Sequence, residues 1–373
     1  MRDHVRERHE RAVAIAREHG SLSIADLAAL LEVSVVTARR DAELLVSEGR
    51  LGRVHGSVVW PGTGRPAPLP PSPRTRTGTM VGMVVPTMRH SFSEVVQGAR
   101  AVLSERGARL VLGLSGYFAD EDRSQIRRLV ASGADGLLVT PGWEDGIPGP
   151  GEADTILEAP VPTVLVERWT LTGSPADALD RVRSDSAHGA GLAVHHLAAL
   201  GHRRIVPALQ HSPHARQLKA GFASALTALG LPPAPSPGFA PGSTSSESER
   251  YDLTLEYLRG CVRERGVTAA LVHSDADAVV LLPRLQALGI RIPEDLALVA
   301  YDDEVSGLSE PALTAVAPPR RAVGAAAARL LLDRLDRLDD GSREHAPRHH
   351  VELLPRLHVR HSCGGSTAHA ATV

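Results

Sequence analysis

Cysteine is nearly absent. The 373-residue chain has only Cys261 and Cys363, which form neither a disulfide framework nor a metal-ligand spacing and suit a reducing compartment. Aromatic residues make up 3% of it. Lysine occurs once, at Lys219, and the other 40 of the 41 basic residues are arginine, so a single arginine is weaker evidence of function here than elsewhere. No run of about 18 apolar residues occurs, which excludes a membrane-spanning helix. The first residues, MRDHVRERHERAV, are charged throughout with no apolar signal region, and the expectation is a cytoplasmic protein. Net charge is only -2, which argues against non-specific coating of nucleic acid but leaves room for a local DNA-reading surface. The strings GxSxG, GxGxxG, HExxH and a P-loop are all missing, so catalysis has no local support.

What is present divides the chain. Its length exceeds one ordinary core and implies a small domain plus a large or bilobed one. Val5 to Glu18 reads as a helix. Ser23 starts another, with apolar positions at Ile24, Leu27, Leu30 and Leu31, and Glu32-Val33-Ser34 is a short turn. A third helix begins near Val35, capped by Ser34 or Thr37, and carries Arg39, Arg40 and Asp41, with Leu44 and Leu45 as its inner side. Gly49 ends it, and Arg50, Arg53 and His55 follow on a hairpin closing at Gly56. Two short helices joined by a tight turn make a helix-turn-helix, and the hairpin makes a wing.

Leu27-Ala28, Val33-Ser34, Thr37-x-Arg39-Arg40-Asp41, Leu44, Gly49, Arg53 and His55-Gly56 together resemble the winged helix-turn-helix of DeoR-type transcription regulators. The resemblance covers about the first sixty residues. It implies double-stranded operator DNA as partner, with Ser34, Thr37, Arg39 and Arg40 approaching the major groove and Arg53 and His55 holding backbone. Residues 1–60 hold nine arginines and nine carboxylates, so any footprint must come from placement, on Arg39, Arg40, Arg50 and Arg53.

Residues 61–78 are dense in Pro and Gly and read as a linker. From Met80 onward, apolar runs alternate with amphipathic helices in two successive series. Repeated βα units of this kind imply parallel sheets with helices on both faces, and ligands bind beyond the carboxyl ends of such strands. Arg321 to Leu338 reads as a long helix, Val351 to Val359 as one or two strands, and 361–373 as a disordered tail.

Val84-Val85-Pro86, Gly136-Leu137-Leu138-Val139, the HLxxLGHRRI block at 196–205 and the IPEDLxxVxYDD block at 292–303 resemble the ligand-binding core of LacI/GalR regulators. That core is itself related to periplasmic sugar-binding proteins. The expected fold class is therefore a small α+β winged head plus a two-lobed α/β core with doubly wound parallel sheets, spanning 79–360. The resemblance implies a homodimer and an effector held between the lobes by Phe92, Thr140, Glu167, Arg168, Arg216, Ser274 and Asp302, with Asp185 near the cleft mouth. Trp143 and Trp169 directly follow strand ends. Carboxylates and arginine around an aromatic face suit a carbohydrate-like ligand. Two departures stand out: Leu218 occupies a position where many relatives carry a second Arg, and Ser274 replaces the usual Asn. The short hinge helix of that family is also missing, so minor-groove wedging is not carried over.

Asp302-Asp303-Glu304 has an alternative reading as a metal site, but adjacent carboxylates on an extended turn cannot all reach one ion; no metal site and no cofactor are expected. The reading is a DNA-binding regulator, a repressor rather than an enzyme. A transport solute-binding protein or a sugar-acting enzyme on the same core is the alternative.

Overall fold

In the computed structural model the chain divides into two compact units, Met1–Thr75 and Arg76–Val373. The structure describes all residues except 1, 20, 32, 34, 48–49, 55–56, 60–77, 89, 144–145, 236–245, 340–346 and 366–373. Ser34, His55, Trp60, most of the expected linker and the end of the expected tail lie outside the described residues, as do the side chains of Arg39 and Arg53.

The first unit contains α1 (Arg2–His19), β1 (Ser21–Ser23), α2 (Ile24–Leu31), α3 (Val35–Ser47), β2 (Gly52–Val54) and β3 (Ser57–Val59). Its antiparallel sheet has the order β1-β3-β2, so the wing hairpin is tied to the short strand that precedes α2. Ala12, Ala16, Ile24, Leu27, Ala28, Leu31, Ala38, Ala42 and Leu45 form its core. Small alanines at the crossings let three short helices pack closely. Two apolar positions differ from the sequence reading. Leu44 does not share the inner side with Leu45, and Leu30 does not share it with Leu31; both are exposed, because a 3.6-residue period turns neighbours about 100° apart.

In the second unit, the first lobe is a six-stranded parallel sheet, β13-β8-β7-β6-β4-β5, from β4 (Met80–Val85), β5 (Arg109–Leu114), β6 (Gly136–Val139), β7 (Thr163–Val166), β8 (Asp180–Ser184) and β13 (His350–Leu353). The second lobe is a five-stranded sheet, β14-β12-β11-β10-β9, from β9 (Ile205–Leu209), β10 (Ala269–His273), β11 (Ala297–Tyr301), β12 (Thr314–Ala317) and β14 (Arg356–His358), with only β14 antiparallel. The central strands β4, β6, β7, β10 and β11 are buried along their whole length, as apolar runs in a doubly covered sheet should be.

The two halves are not simply consecutive. After β8 the chain enters the second lobe through α7 (Ser186–Ala199) and α8 (Ala215–Ala228), continues to α9 (Glu247–Arg265) and α10 (Asp275–Ala287), then returns after β12 through α11 (Arg320–Asp339), which packs on α4 (His90–Glu105) and on β6, β7 and β8 of the first lobe. β13 stays in the first lobe and β14 crosses again. Hydrophobic pattern marks strands but not the sheet they join, and only the tertiary arrangement shows that 350–358 serves both lobes.

α4 and α11 meet backbone to backbone. A Cβ on Gly98 would lie 1.9 Å from the Arg321 carbonyl oxygen, and one on Gly324 would lie 1.9 Å from that of Val95. This reciprocal crossing lets α11, arriving from the other lobe, sit directly over the first-lobe core of Val95, Ala99, Val323 and Ala327.

β8 escaped the sequence reading because DRVRS has one apolar side chain. Its burial is balanced by ions: Asp180, at 1% exposure, accepts from Arg334 Nε at 2.8 Å and Nη2 at 2.7 Å, from Arg348 at 3.1 Å and from the amide of His349 at 2.8 Å. The expected tail also begins later than 361. Ser362 and Cys363 are buried in the second lobe, where the Ser362 hydroxyl donates to Leu298 O at 2.6 Å and accepts from Thr314 N at 2.9 Å. No helix among the described residues is long and apolar enough to cross a membrane.

Candidate DNA-reading face and effector cleft

In the head, α3 presents Thr37, Arg40 and Leu44 at helical spacing on the face opposite Ala38, Ala42 and Leu45, with Arg40 and Leu44 exposed. Asp41, the last residue of the TxRRD string, points inward. It accepts from Arg8 Nε at 2.5 Å and Nη2 at 3.1 Å and lies 3.0 Å from His9 Nε2, so it pins α3 to α1. Burial pushes its carboxyl up, but the hydrogen bonds from Arg8 and His9 outweigh this and hold it below the ordinary value. Arg50 is paired with Glu10 at 2.9 Å. Arg39 and Arg53 stand on α3 and β2, on either side of the turn into the wing.

In the core, the carboxyl ends of the two sheets face each other. On the first lobe, Thr140 follows β6, Arg168 follows β7, and Asp122 lies in the first turn of α5 (Ala119–Ala131). Arg168 is 1% exposed; its Nε donates to Pro141 O at 2.5 Å and its Nη1 to Glu167 O at 2.8 Å. Burial pushes its pKa down to about 10, against the fields of Tyr117, Glu167 and Asp122, so it stays charged near neutral pH. Asp122 accepts from the amide of Gly142 at 2.6 Å with one oxygen, and burial raises its carboxyl. The Ser115 hydroxyl and the Asp122 carboxylate lie close enough to act on each other, while buried Thr140 Oγ1 and Arg168 Nη2 have no hydrogen-bond partner. Such groups are costly unless something satisfies them. Phe92 is buried at the start of α4 and meets Tyr117 edge-on at 6.5 Å.

On the second lobe, Asp302 follows β11 with φ 112 and pairs with Arg320, whose guanidinium also lies 3.7 Å from Glu304. His273 Nε2 is 3.7 Å from Asp302. Burial would raise the Asp302 carboxyl, but the neighbouring positive charge of Arg320 brings it below its ordinary value. His214 is pushed down to about 3 by burial and by the positive fields of Arg168 and Arg320, and so is neutral. Because Arg168 belongs to the first lobe, this mutual influence places both sides at one cleft. Arg216 completes the contact, its guanidinium 5.7 Å over the ring of Trp169.

Several residues expected at the cleft serve other ends. Glu167 turns both carboxylate oxygens onto Ser184, taking its amide at 3.0 Å and its hydroxyl at 2.8 Å, and so fixes the crossover after β8. Ser274 caps α10 in a capping box with Asp277. Asp275 accepts from Val305 N at 2.6 Å and Ser306 N at 3.1 Å and shapes the loop after β11. Asp185 caps α7 through His188 N at 2.9 Å. Trp143 is 1% exposed in the first-lobe core, and Leu218 is buried in the second. Asp303 bonds Arg360 and His358 and so turns away from Asp302 and Glu304, which share Arg320. Ser115, Asp122, His214 and Arg320 were not singled out from sequence: Asp122 reads as one of three first-turn helix acids, and Arg320 as one of a pair after two prolines.

Residues 8–63 match the DeoR-like helix-turn-helix domain, and residues 194–363 match the periplasmic binding protein-like domain. The chain joins a DeoR-like helix-turn-helix head to a periplasmic binding protein-like core, the make-up of a DNA-binding transcription regulator. The regulator is 28% identical over 353 residues to the HTH-type transcriptional repressor PurR of Vibrio atlanticus, covering 91% of this chain and 98% of that one. It is 25% identical over 321 residues to the arabinose metabolism transcriptional repressor of Geobacillus stearothermophilus, covering 83% and 84%. Among solved structures, a LacI-family regulator from Sanguibacter keddieii superposes with TM-score 0.61 at 26% identity over 77% of this chain and 98% of that one. The cellobiose complex of the regulator CelR does so with TM-score 0.59 at 25% identity over 88% and 91%.

Proposed function

We propose that the regulator is a repressor whose affinity for operator DNA is set by a carbohydrate-like small molecule bound between the two lobes. The observation that carries this is the cluster of unsatisfied polar atoms at the first-lobe strand ends, facing Asp302, Arg320 and His214 across the cleft. A guanidinium, a carboxylate oxygen and two hydroxyls answer vicinal oxygens of a polyol in donor and acceptor pairs, and Phe92 supplies an apolar face. The relatives are regulators rather than enzymes, and we read the cleft as a sensor. α3 reads the major groove through Thr37, Arg39 and Arg40, the wing holds phosphate through Arg53 and His55, and a homodimer presents two such heads to a two-fold operator. Ligand binding shifts DNA affinity to the extent that it prefers one lobe arrangement over another.

The DNA half is tested by replacing Arg39 and Arg40 together with Ala and measuring gel-shift affinity for the DNA upstream of the protein's own gene. Loss of binding with ligand-induced thermal stabilisation retained is expected; unchanged affinity contradicts the assignment of α3. The ligand half is tested by a thermal-shift screen of sugars, sugar acids, sugar phosphates and nucleosides, in which a cleft ligand raises the unfolding temperature.

A further inference from the structure

Strand β5 ends in a turn that suits glycine and asparagine, and a tyrosine occupies it. The amides of Ser115 and Gly116 continue the sheet, donating to Val85 O at 3.1 Å and to Pro86 O at 2.8 Å, and the amide of Phe118 closes the turn on Ser115 O at 3.0 Å. Both central residues are left-handed, Gly116 with φ 62 and Tyr117 with φ 67. Positive φ at both central positions is the pattern of a type I′ turn, in which a bulky side chain is an outlier and Gly or Asn the ordinary choice. The hydrogen bonds of the turn do not call for an aromatic ring, so the strain points to what the ring does elsewhere.

The turn puts the ring at the cleft. β5 is the edge of the first-lobe sheet opposite β8 and β13, the strands from which the chain crosses to the second lobe, so its carboxyl end forms the lip of the cleft away from those crossovers. There the Tyr117 backbone lies against Gly142, where a Cβ would stand 2.6 Å from the Tyr117 carbonyl carbon; only glycine allows the approach. The Tyr117 ring meets Phe92 edge-on at 6.5 Å, and its phenol oxygen is near enough to act on the Arg168 guanidinium. Phe92 is 7% exposed and Tyr117 is 47% exposed, so the lip carries an aromatic surface that the protein itself leaves open.

Resting on the reading of the cleft as a polyol sensor, we propose that Tyr117 is a specificity-determining residue at its lip, whose ring closes on the apolar face of a cyclic sugar and so favours ring forms over open-chain polyols. A pyranose or furanose turns a fixed patch of C–H groups to one side, and an aromatic face covers that patch at the expense of water. An open-chain alditol carries the same hydroxyls but holds no such face. Phe92, edge-on to Tyr117, fixes the plane of the ring, and the strained turn fixes its place, so little ordering is left for the ligand to bring about.

The test is thermal shift and isothermal calorimetry on the full chain with D-glucose, D-galactose, D-xylose, D-ribose and L-arabinose, each set against its own alditol. At least one sugar is expected to bind about fivefold or more tighter than its alditol, the scale of one aromatic contact. Tyr117→Asn, which a left-handed turn accommodates, is expected to keep or raise the unfolding midpoint without ligand and to lose that preference, while Tyr117→Phe keeps it. A purely structural role for the tyrosine would lower the midpoint and leave the ratio of the two affinities unmoved. A sugar that binds the wild type and Tyr117→Asn equally, or an alditol that binds as tightly as its sugar, overturns the assignment of Tyr117 and leaves the polyol sensor standing. Failure of every sugar and alditol to bind overturns both. The comparison of sugar with alditol uses the unaltered protein, so it decides the matter even if a variant fails to fold.

Discussion

Arg320, the first residue of α11, sets its guanidinium against the carboxylate of Asp302 at the end of β11. The chain passes from the second lobe to the first at this residue, so one ion pair both neutralises a cleft carboxylate and anchors the crossover. Removing one partner of such a buried pair costs about 3 kcal/mol or more, whereas replacing both is milder. In urea unfolding, Arg320→Met and Asp302→Asn are each expected to destabilise the core, and the double variant to lose less than the sum. Strict additivity would show that the pair does not couple.

The α4–α11 crossing predicts a second outcome. Ala at Gly98 or Gly324 forces a methyl into a carbonyl oxygen of the opposing helix, since each Cβ would lie 1.9 Å from one. Overpacking of this kind costs about 1–3 kcal/mol, and a fall in the calorimetric midpoint checks it. Ala at Gly191, whose Cβ would meet nothing within 4 Å, is the control and should be neutral or slightly stabilising.

How much of this was legible in the sequence depends on what each residue's environment contributes. The buried strands β4, β6, β10 and β11 are continuous apolar runs and were readable. β8 was not, because Asp180 is admitted to the interior by Arg334, Arg348 and the amide of His349, all far away in the chain. Thr140, Arg168 and Asp302 were placed at the cleft by resemblance, and they follow β6, β7 and β11 in the chain. Glu167 was placed there too, and its pairing with the amide and hydroxyl of Ser184 cannot be read from residue type. Asp122 reaches the site by tertiary approach to Gly142, and no local pattern announces that.

Protonation gives a third prediction. His214 has a folded value of about 3, far below the ordinary value of about 6.5, so between these limits the unfolded chain binds more protons and stability falls as pH falls. His202, lowered by burial, acts in the same direction. Urea midpoints are expected to drop steadily from pH 7 to pH 5, and His214→Gln to flatten most of that slope. A slope unchanged in the variant contradicts a neutral imidazole at this place.

The head offers a fourth. Asp41→Ala leaves Arg8 and His9 without their shared acceptor, and a loss of about 1–3 kcal/mol in the head's stability is expected, with DNA affinity falling because α3 is no longer fixed to α1. Arg40→Ala, at an exposed position, should weaken DNA binding without changing stability and should reduce the salt slope of binding by about one unit if it meets a phosphate. Calorimetry and gel shifts at several salt concentrations separate the two effects.

Whether the cleft controls the head is read by fluorescence anisotropy of the full chain on its own upstream DNA, titrated with a ligand that the thermal-shift screen shows to bind. The prediction is a change in DNA affinity of about fivefold or more in the wild type, the usual scale of allosteric coupling, and none in Arg168→Met. Identical DNA affinity in the wild type with the ligand absent and saturating would contradict it.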